Sequence, residues 1–214
     1  MNNLHSFTSD QLSTSDNYKL LSGLIIPRTI AWVSTLNEDG SVNLAPFSFF
    51  SSVPSSRPLI TLGIGNKETG VPKDTVRNLL REKEGVVHIP NKDDLVTLNA
   101  TSATIPYGQS EVTEQELNLV PSNVIKTPAL ATSRVRLETK LYKEVVVNDH
   151  TGKQDASVLL LEVVNYSIDP KIVDDRYYTN ITQLDPLIRL SGPNYGHLYD
   201  IYSYDRPDHE SQPS

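Results

Sequence analysis

No cysteine occurs among the 214 residues, and disulfides, thiolate nucleophiles, thiolate zinc sites and iron–sulfur clusters are excluded with it. Any redox chemistry must therefore be borrowed from a cofactor. A cationic stripe is missing too: the formal net charge is −7, the sequence pI is about 5.2, and the lysines and arginines are scattered. A nucleic-acid backbone is a poor match for such a surface, so no nucleic acid is expected as partner. Apolar runs long enough to span a bilayer are absent, and the first ten residues hold no basic stretch followed by an apolar one. The expectation is a cytoplasmic protein without membrane attachment. The Asn-x-Ser/Thr triplets at Asn99, Asn165 and Asn180 carry little weight without a secretory signal. The five histidines, His5, His88, His150, His197 and His209, show no metal-ligand spacing. No metal is expected, and His88, inside the apolar run Gly85 to Ile89, reads as a satisfied core histidine.

What is present is strand-dense. From Arg28 to Leu36, Ile30, Trp32, Ser34 and Leu36 alternate with Thr29, Ala31, Val33 and Thr35, the period of two of a β-strand. Asn37-Glu38-Asp39-Gly40 supplies a turn, with Gly40 free to take the positive φ that closes a hairpin. The chain returns through Ser41 to Leu44 and meets Ala45-Pro46-Phe47-Ser48. Pro46 lacks a backbone N–H and belongs at an edge, a bulge or a strand end. Open backbone, the Asn43 amide, the Ser48 hydroxyl and the rings of Phe47, Phe49 and Phe50 suit a planar heteroaromatic ligand. The plainer reading is an edge proline beside a Phe-rich core.

Further along, Gly63-Ile64-Gly65 invites a dinucleotide-fold reading, but the third glycine of that fingerprint would fall on Glu68. No Gly-Lys-Ser/Thr follows Gly70, so a triphosphate loop is excluded as well. Val76, Leu79 and Leu80 give one apolar helix face, and the helix opens at Pro72-Lys73-Asp74-Thr75. Its free first-turn N–H groups, joined by Lys73, Thr75 and Asn78, suit a phosphate; ordinary capping by Asp74 or Thr75 is the competing account. Arg134 to Leu141 alternates cleanly, and a turn at Asn148 to Gly152 separates Val145-Val146-Val147 from the run Val158 to Val164. Residues 106–128 lack periodicity and read as a cover over the site. Ser15-Asp16 is expected to cap a short helix that ends at Gly23.

Four segments together resemble the flavin reductase-like family: Pro27 to Thr35; Asn43-Leu44-Ala45-Pro46-Phe47-Ser48-Phe49-Phe50; Lys73-Asp74-Thr75 with Asn78; and Arg189-Leu190-Ser191-Gly192 with Tyr195. The resemblance spans most of residues 17–200. It implies a mainly β fold, the antiparallel FMN-binding split β-barrel with two or three peripheral helices. Residues 15–204 would form that domain, between a flexible arm at 1–14 and a disordered tail at 205–214. It further implies FMN, with Ser34, Thr35, Asn43, Ala45, Pro46 and Ser48 along the flavin and Lys73, Thr75 and Asn78 near its phosphate. An NAD(P)H-dependent flavin reductase follows, with NADH or NADPH as donor, working as a homodimer. A flavin-holding or electron-transfer module without turnover is the alternative. The scarcity of catalytic side chains agrees with either, because the flavin carries the redox chemistry.

Overall fold

The computed structural model describes residues 4–68 and 70–205. Residues 1–3 of the expected arm and 206–214 of the expected tail lie outside the described residues. The helices are α1 (Thr14–Leu24), α2 (Asp74–Glu82), α3 (Leu95–Ala100) and two single turns, α4 (Glu111–Glu114) and α5 (Ile181–Leu184). The strands are β1 (Arg28–Thr29), β2 (Ala31–Leu36), β3 (Val42–Phe47), β4 (Phe50–Ser52), β5 (Leu59–Gly65), β6 (Glu84–His88), β7 (Leu119–Val120), β8 (Ala129–Leu130), β9 (Val135–Asn148), β10 (Gln154–Ile168), β11 (Ile188–Arg189) and β12 (Tyr195–Gly196).

Seven strands form one antiparallel sheet in the order β3-β2-β6-β9-β10-β5-β4. Its two edge strands are nearly contiguous in sequence, since β3 ends at Phe47 and β4 starts at Phe50. Laid flat, seven strands separate their edges by about 29 Å. The link from Phe47 to Phe50 reaches only about 10 Å. The sheet must therefore roll until its edges approach, and β3 does come against β5. Ala31, Val33, Phe47, Leu62, Val87, Leu159 and Leu161 fill the inside, where Val76 and Leu79 of α2 pack into the same core. The other face of β2 and β3 is covered as well: Ile30, Trp32, Val42 and Leu44 pack with Leu98, Val112, Leu130 and Leu187. The alternation read from the sequence thus separates two cores, one on each face of the same hairpin.

The hairpin turn forms as its residues dictate. Gly40 adopts φ +84°, and the Asp39 carboxylate accepts from both the backbone N–H and the hydroxyl of Ser41. At the N-terminus the capping residue is Ser13, whose Oγ accepts from the Asp16 N–H, so α1 begins ahead of the expected Ser15-Asp16 cap. Ser9–Gln11 is a 3₁₀ turn tied to α1 through Asn17 Nδ2, which donates to Ser9 O at 2.8 Å.

The stretch 106–128 differs more from expectation. Only its start, at Ser110 and Glu111, reaches the open side of β3, and the rest does not cover that side. Leu119 and Leu117 pack against the outer core, Ser34 Oγ donates to Pro128 O at 2.8 Å, and two buried or half-buried carboxylates hold the loop by its backbone. Glu138 accepts from the N–H groups of Asn123 and Val124, both at 2.8 Å, and Glu84 from those of Lys126 and Thr127. A loop read as irregular is a back layer because side chains elsewhere in the sequence, on β6 and β9, satisfy its amides.

Helix α2 lies close over the start of β6. A Cβ at Gly85 would stand 3.0 Å from Leu79 Cδ2 and 3.1 Å from Ser34 O. Gly85→Val is expected to force the helix off the sheet and destabilise the fold by about 1–3 kcal/mol, read as a fall in the urea midpoint.

Candidate functional site

The open edge of β3 is where the fold leaves backbone without a strand partner. Leu44 N–H donates outward to Glu111 Oε2 at 2.9 Å, and Ser110 Oγ donates to Val42 O at 2.6 Å. Even-numbered residues of β3 therefore turn their backbone groups away from β2. Pro46 falls in that outward series, so its missing N–H removes no ladder bond. Ser110 and Glu111 occupy the first part of this edge. Beyond them it borders a cavity of about 770 Å³, whose wall includes Asn43, Ala45, Pro46, Phe47 and Ser48.

The same cavity receives the start of α2. The capping position is Lys73, which has no side-chain acceptor, and no side chain caps the helix. The capping account of this turn therefore fails: Asp74 is already inside the helix and pairs with Lys67 Nζ at 3.0 Å. Lys67 also donates to Ile105 O at 3.0 Å and lies 4.1 Å from the Tyr107 ring centre. Among the described residues Lys73 has no carboxylate neighbour of this kind; its Nζ stands 5.7 Å from the Phe47 ring centre. Burial, reinforced by Lys67, lowers the Lys73 pKa from the usual ammonium value. An uncapped helix start beside an exposed ammonium is a ready anion site.

Glu111 is the buried carboxylate of the wall, and burial raises its pKa even though the Leu44 N–H favours the ionised form. A raised folded pKa means stability that is complete below the ordinary carboxylate pKa and is lost as pH rises through the raised one. Glu111→Ala leaves the Leu44 N–H without its partner and is expected to cost about 1–3 kcal/mol. Glu111→Gln keeps an acceptor without the charge, so it should lose less and should lack that decline; denaturant unfolding at several pH values checks both.

A family model described as "Flavin reductase like domain" matches residues 22–184. The chain belongs to that family. An uncharacterized protein of Bacillus subtilis (strain 168), YwrF, is 38% identical over 205 residues, covering 95% of this chain and all of the relative. The crystal structure of nitrilotriacetate monooxygenase component B from Bacillus cereus superposes with a TM-score of 0.91 at 30% identity, covering 95% of this chain and 100% of that one. Pseudomonas fluorescens 2-nitrobenzoate 2-nitroreductase NbaA superposes with a TM-score of 0.85 at 25% identity, covering 98% and 99%. The rolled antiparallel sheet is the family's split barrel, as the sequence motifs imply.

Against the family expectation, the residues divide three ways. Asn43, Ala45, Pro46, Ser48, Lys73 and Thr75 share the cavity wall. Thr35 and Asn78 stand behind it. Asn43 Nδ2 donates to Thr75 Oγ1 at 2.9 Å and to Thr35 Oγ1 at 3.2 Å, while Asn78 Nδ2 donates to Thr35 Oγ1 at 3.1 Å and to Asn37 Oδ1 at 2.8 Å. This buried network locks Asn43 to the start of α2. Ser34 goes elsewhere: it is 0% exposed, faces the outer core and gives its hydroxyl to Pro128 O. Counting along the strand explains why, since Thr35 pairs with Asn43 and Ser34 with Leu44, on opposite faces.

Several wall residues carry no signal in local sequence. Thr101 to Ile105 and Glu111 reach the cavity only through the fold of the α3–α4 segment. At the far end of β3, Arg28 Nε donates to Ser48 Oγ at 3.3 Å and Nη2 to Leu190 O at 3.3 Å, and Nη1 donates to Ser22 O. Tyr18 of α1 meets Phe49 with ring centres 6.2 Å apart. Arg189, Ser191, Gly192 and Tyr195 complete that wall, and Arg189 stacks 4.4 Å over the Tyr195 ring. His197 pairs with Asp185 at 2.9 Å and is not among the wall residues. Among the described residues no helix is long and apolar enough to cross a membrane, and no cluster of His, Asp and Glu suits a metal.

Proposed function

We propose that this chain binds FMN in the β3–α2 cavity and acts in the cytoplasm as an NAD(P)H-dependent flavin reductase. The observation that carries the reading is the junction of two unfilled backbone features in one cavity: the uncapped start of α2 beside Lys73 and Thr75, and the proline-interrupted open edge of β3. The first suits a phosphate dianion and the second suits the hydrogen-bonding edge of a flat ring. A volume of about 770 Å³ is ample for one mononucleotide with room for a second reactant. The flavin, when bound, supplies the hydride-accepting chemistry. The chain's own part is to bind and orient: Lys73, Thr75 and the first α2 N–H groups take the phosphate, Asn43 is held rigid by Thr35 and Thr75, and Pro46 and Phe47 present an apolar wall. The relatives named as a monooxygenase component and a nitroreductase agree with a redox role.

We infer in addition that the protein is a homodimer. Strand β9 runs on beyond its pairing with β6, which ends at Lys140, and Tyr142, Val145, Val146 and Val147 of that extension are exposed, with Val146 on the opposite face from Val145 and Val147. Such a two-sided apolar arm suits a second copy. Light scattering should give twice the chain mass, and a monomer would remove this inference.

The test of the cofactor reading is an FMN titration followed by the visible band and by thermal unfolding. FMN at a hundred times its Kd should add about 2.7 kcal/mol to stability. An unchanged spectrum and an unchanged melting temperature would refute the assignment.

A further inference from the structure

The cavity has a second cationic end that the flavin phosphate does not use. Strands β1 and β11 pair with Arg28 directly opposite Arg189, so two guanidinium-bearing side chains leave the same face of the ladder side by side. Like charges directly opposite in an antiparallel pair oppose pairing. Among the described residues every hydrogen-bond partner of the two side chains is neutral: Ser22 O, Ser48 Oγ and Leu190 O for Arg28, and Gly192 O for Arg189. The arginines are also held in place. Arg28 is fixed by three acceptors, and Arg189 is stacked on Tyr195 with Nη2 at 2.7 Å from Gly192 O. Both line the same cavity as Lys73 and Thr75.

The spacing separates the two ends. Asn43 is bonded to Thr75 at the α2 end, and Ser48 is bonded to Arg28 at the other. Five residues of extended chain place these ends about 16 Å apart. An anion seated on the first α2 N–H groups, beside Thr75, cannot also meet the arginine pair.

We propose that Arg28 and Arg189 form a subsite for the anionic group of the second reactant that enters the cavity, a carboxylate or a phosphate. Fixed guanidinium forks whose partners among the described residues are all neutral suit bidentate recognition of either oxyanion. The proposal deepens the flavin reading by naming the substrate class, and it rests on that reading only for the ring this reactant would meet. Two sources share the chemistry: a small organic acid as electron acceptor, or the phosphates of the nicotinamide donor.

The experiment is calorimetric titration of the FMN-loaded protein with benzoate and with NADP⁺, repeated with benzamide as the neutral counterpart of benzoate. At least one anion should bind. Arg189→Gln should weaken that binding tenfold to a hundredfold with FMN affinity unchanged, and Arg189→Lys should fall between because it keeps the charge without the fork. Benzoate alone names an acid acceptor, and NADP⁺ alone names the donor. Binding of neither anion, or equal binding by the wild type and Arg189→Gln, overturns the proposal. If the variant does not fold, the wild type decides: benzamide binding as tightly as benzoate, with NADP⁺ affinity indifferent to salt, overturns it equally. The same titrations without FMN separate the two claims, since anion binding by a protein that takes up no FMN would leave this subsite standing and refute the flavin reading.

Discussion

Lys73→Ala is expected to weaken FMN binding by roughly ten- to more than a hundredfold, which corresponds to the loss of one charge-assisted bond of about 1.5–3 kcal/mol. The expectation follows from what Lys73 does not do in the fold. It sits at the capping position of α2 without capping it, its ammonium is exposed at the cavity wall, and among the described residues it has no carboxylate partner. A phosphate dianion supplies the missing counter-charge, and the free protein does not use this side chain as a cap. The variant should therefore be about as stable as the wild type without FMN, yet poorer at taking it up. Thr75→Ala separates local from network effects, because Thr75 Oγ1 also accepts from Asn43. Fluorescence quenching of FMN gives the affinity, and urea unfolding of the flavin-free protein gives the stability. Equal affinity in Lys73→Ala and the wild type would detach the α2 start from the site.

The second large effect concerns pH. His88 is 0% exposed, and both ring nitrogens are committed: Nδ1 lies 2.8 Å from Trp32 O, and Nε2 accepts from Leu130 N–H at 3.0 Å. That arrangement needs the neutral ring with its proton on Nδ1. Burial lowers the His88 pKa to about 4. Because the folded pKa is depressed below the ordinary value of about 6.5, the stabilisation is complete above that value and is lost as pH falls toward 4. The loss amounts to about 3 kcal/mol across the window. It removes the link between β2, β6 and β8, the layer on which the outer core rests. Urea midpoints between pH 7 and pH 4 should fall steeply in the wild type. His88→Gln, which can still donate and accept but cannot titrate, should be less stable at pH 7 and show a flatter slope. An identical slope in both proteins would contradict this account of His88.

Much of the fold was legible because its strands follow simple rules. The alternation from Ile30 to Leu36, the turn at Gly40 and the strand from Arg134 to Leu141 each depend on residues within a few positions of one another, and all three appear as read. Pro46 was legible for the same reason, since a missing N–H constrains strand pairing wherever the chain goes. Ser34 shows the limit. Its side-chain type suits a ligand, but the pairing of Thr35 with Asn43 decides which face it takes, and that pairing is set by the register of the whole hairpin. The 106–128 stretch fails differently: its amides are satisfied by Glu84 and Glu138, whose roles depend on β6 and β9 pairing first. Lys73 reversed the usual odds, because capping is a property of one residue's acceptor and the fold put a lysine there. The Arg28–Arg189 pairing spans 161 positions of sequence, and no local pattern announces it.

The central claim is that this cavity holds a flavin that a nicotinamide nucleotide reduces. Anaerobic stopped-flow absorbance of the FMN-loaded protein tests it most directly. Mixing with NADH or NADPH should bleach the oxidised flavin band in a saturable fashion, with the faster nucleotide identifying the donor. A band that persists with both nucleotides while FMN remains bound would contradict the reductase and leave a flavin-holding protein in its place.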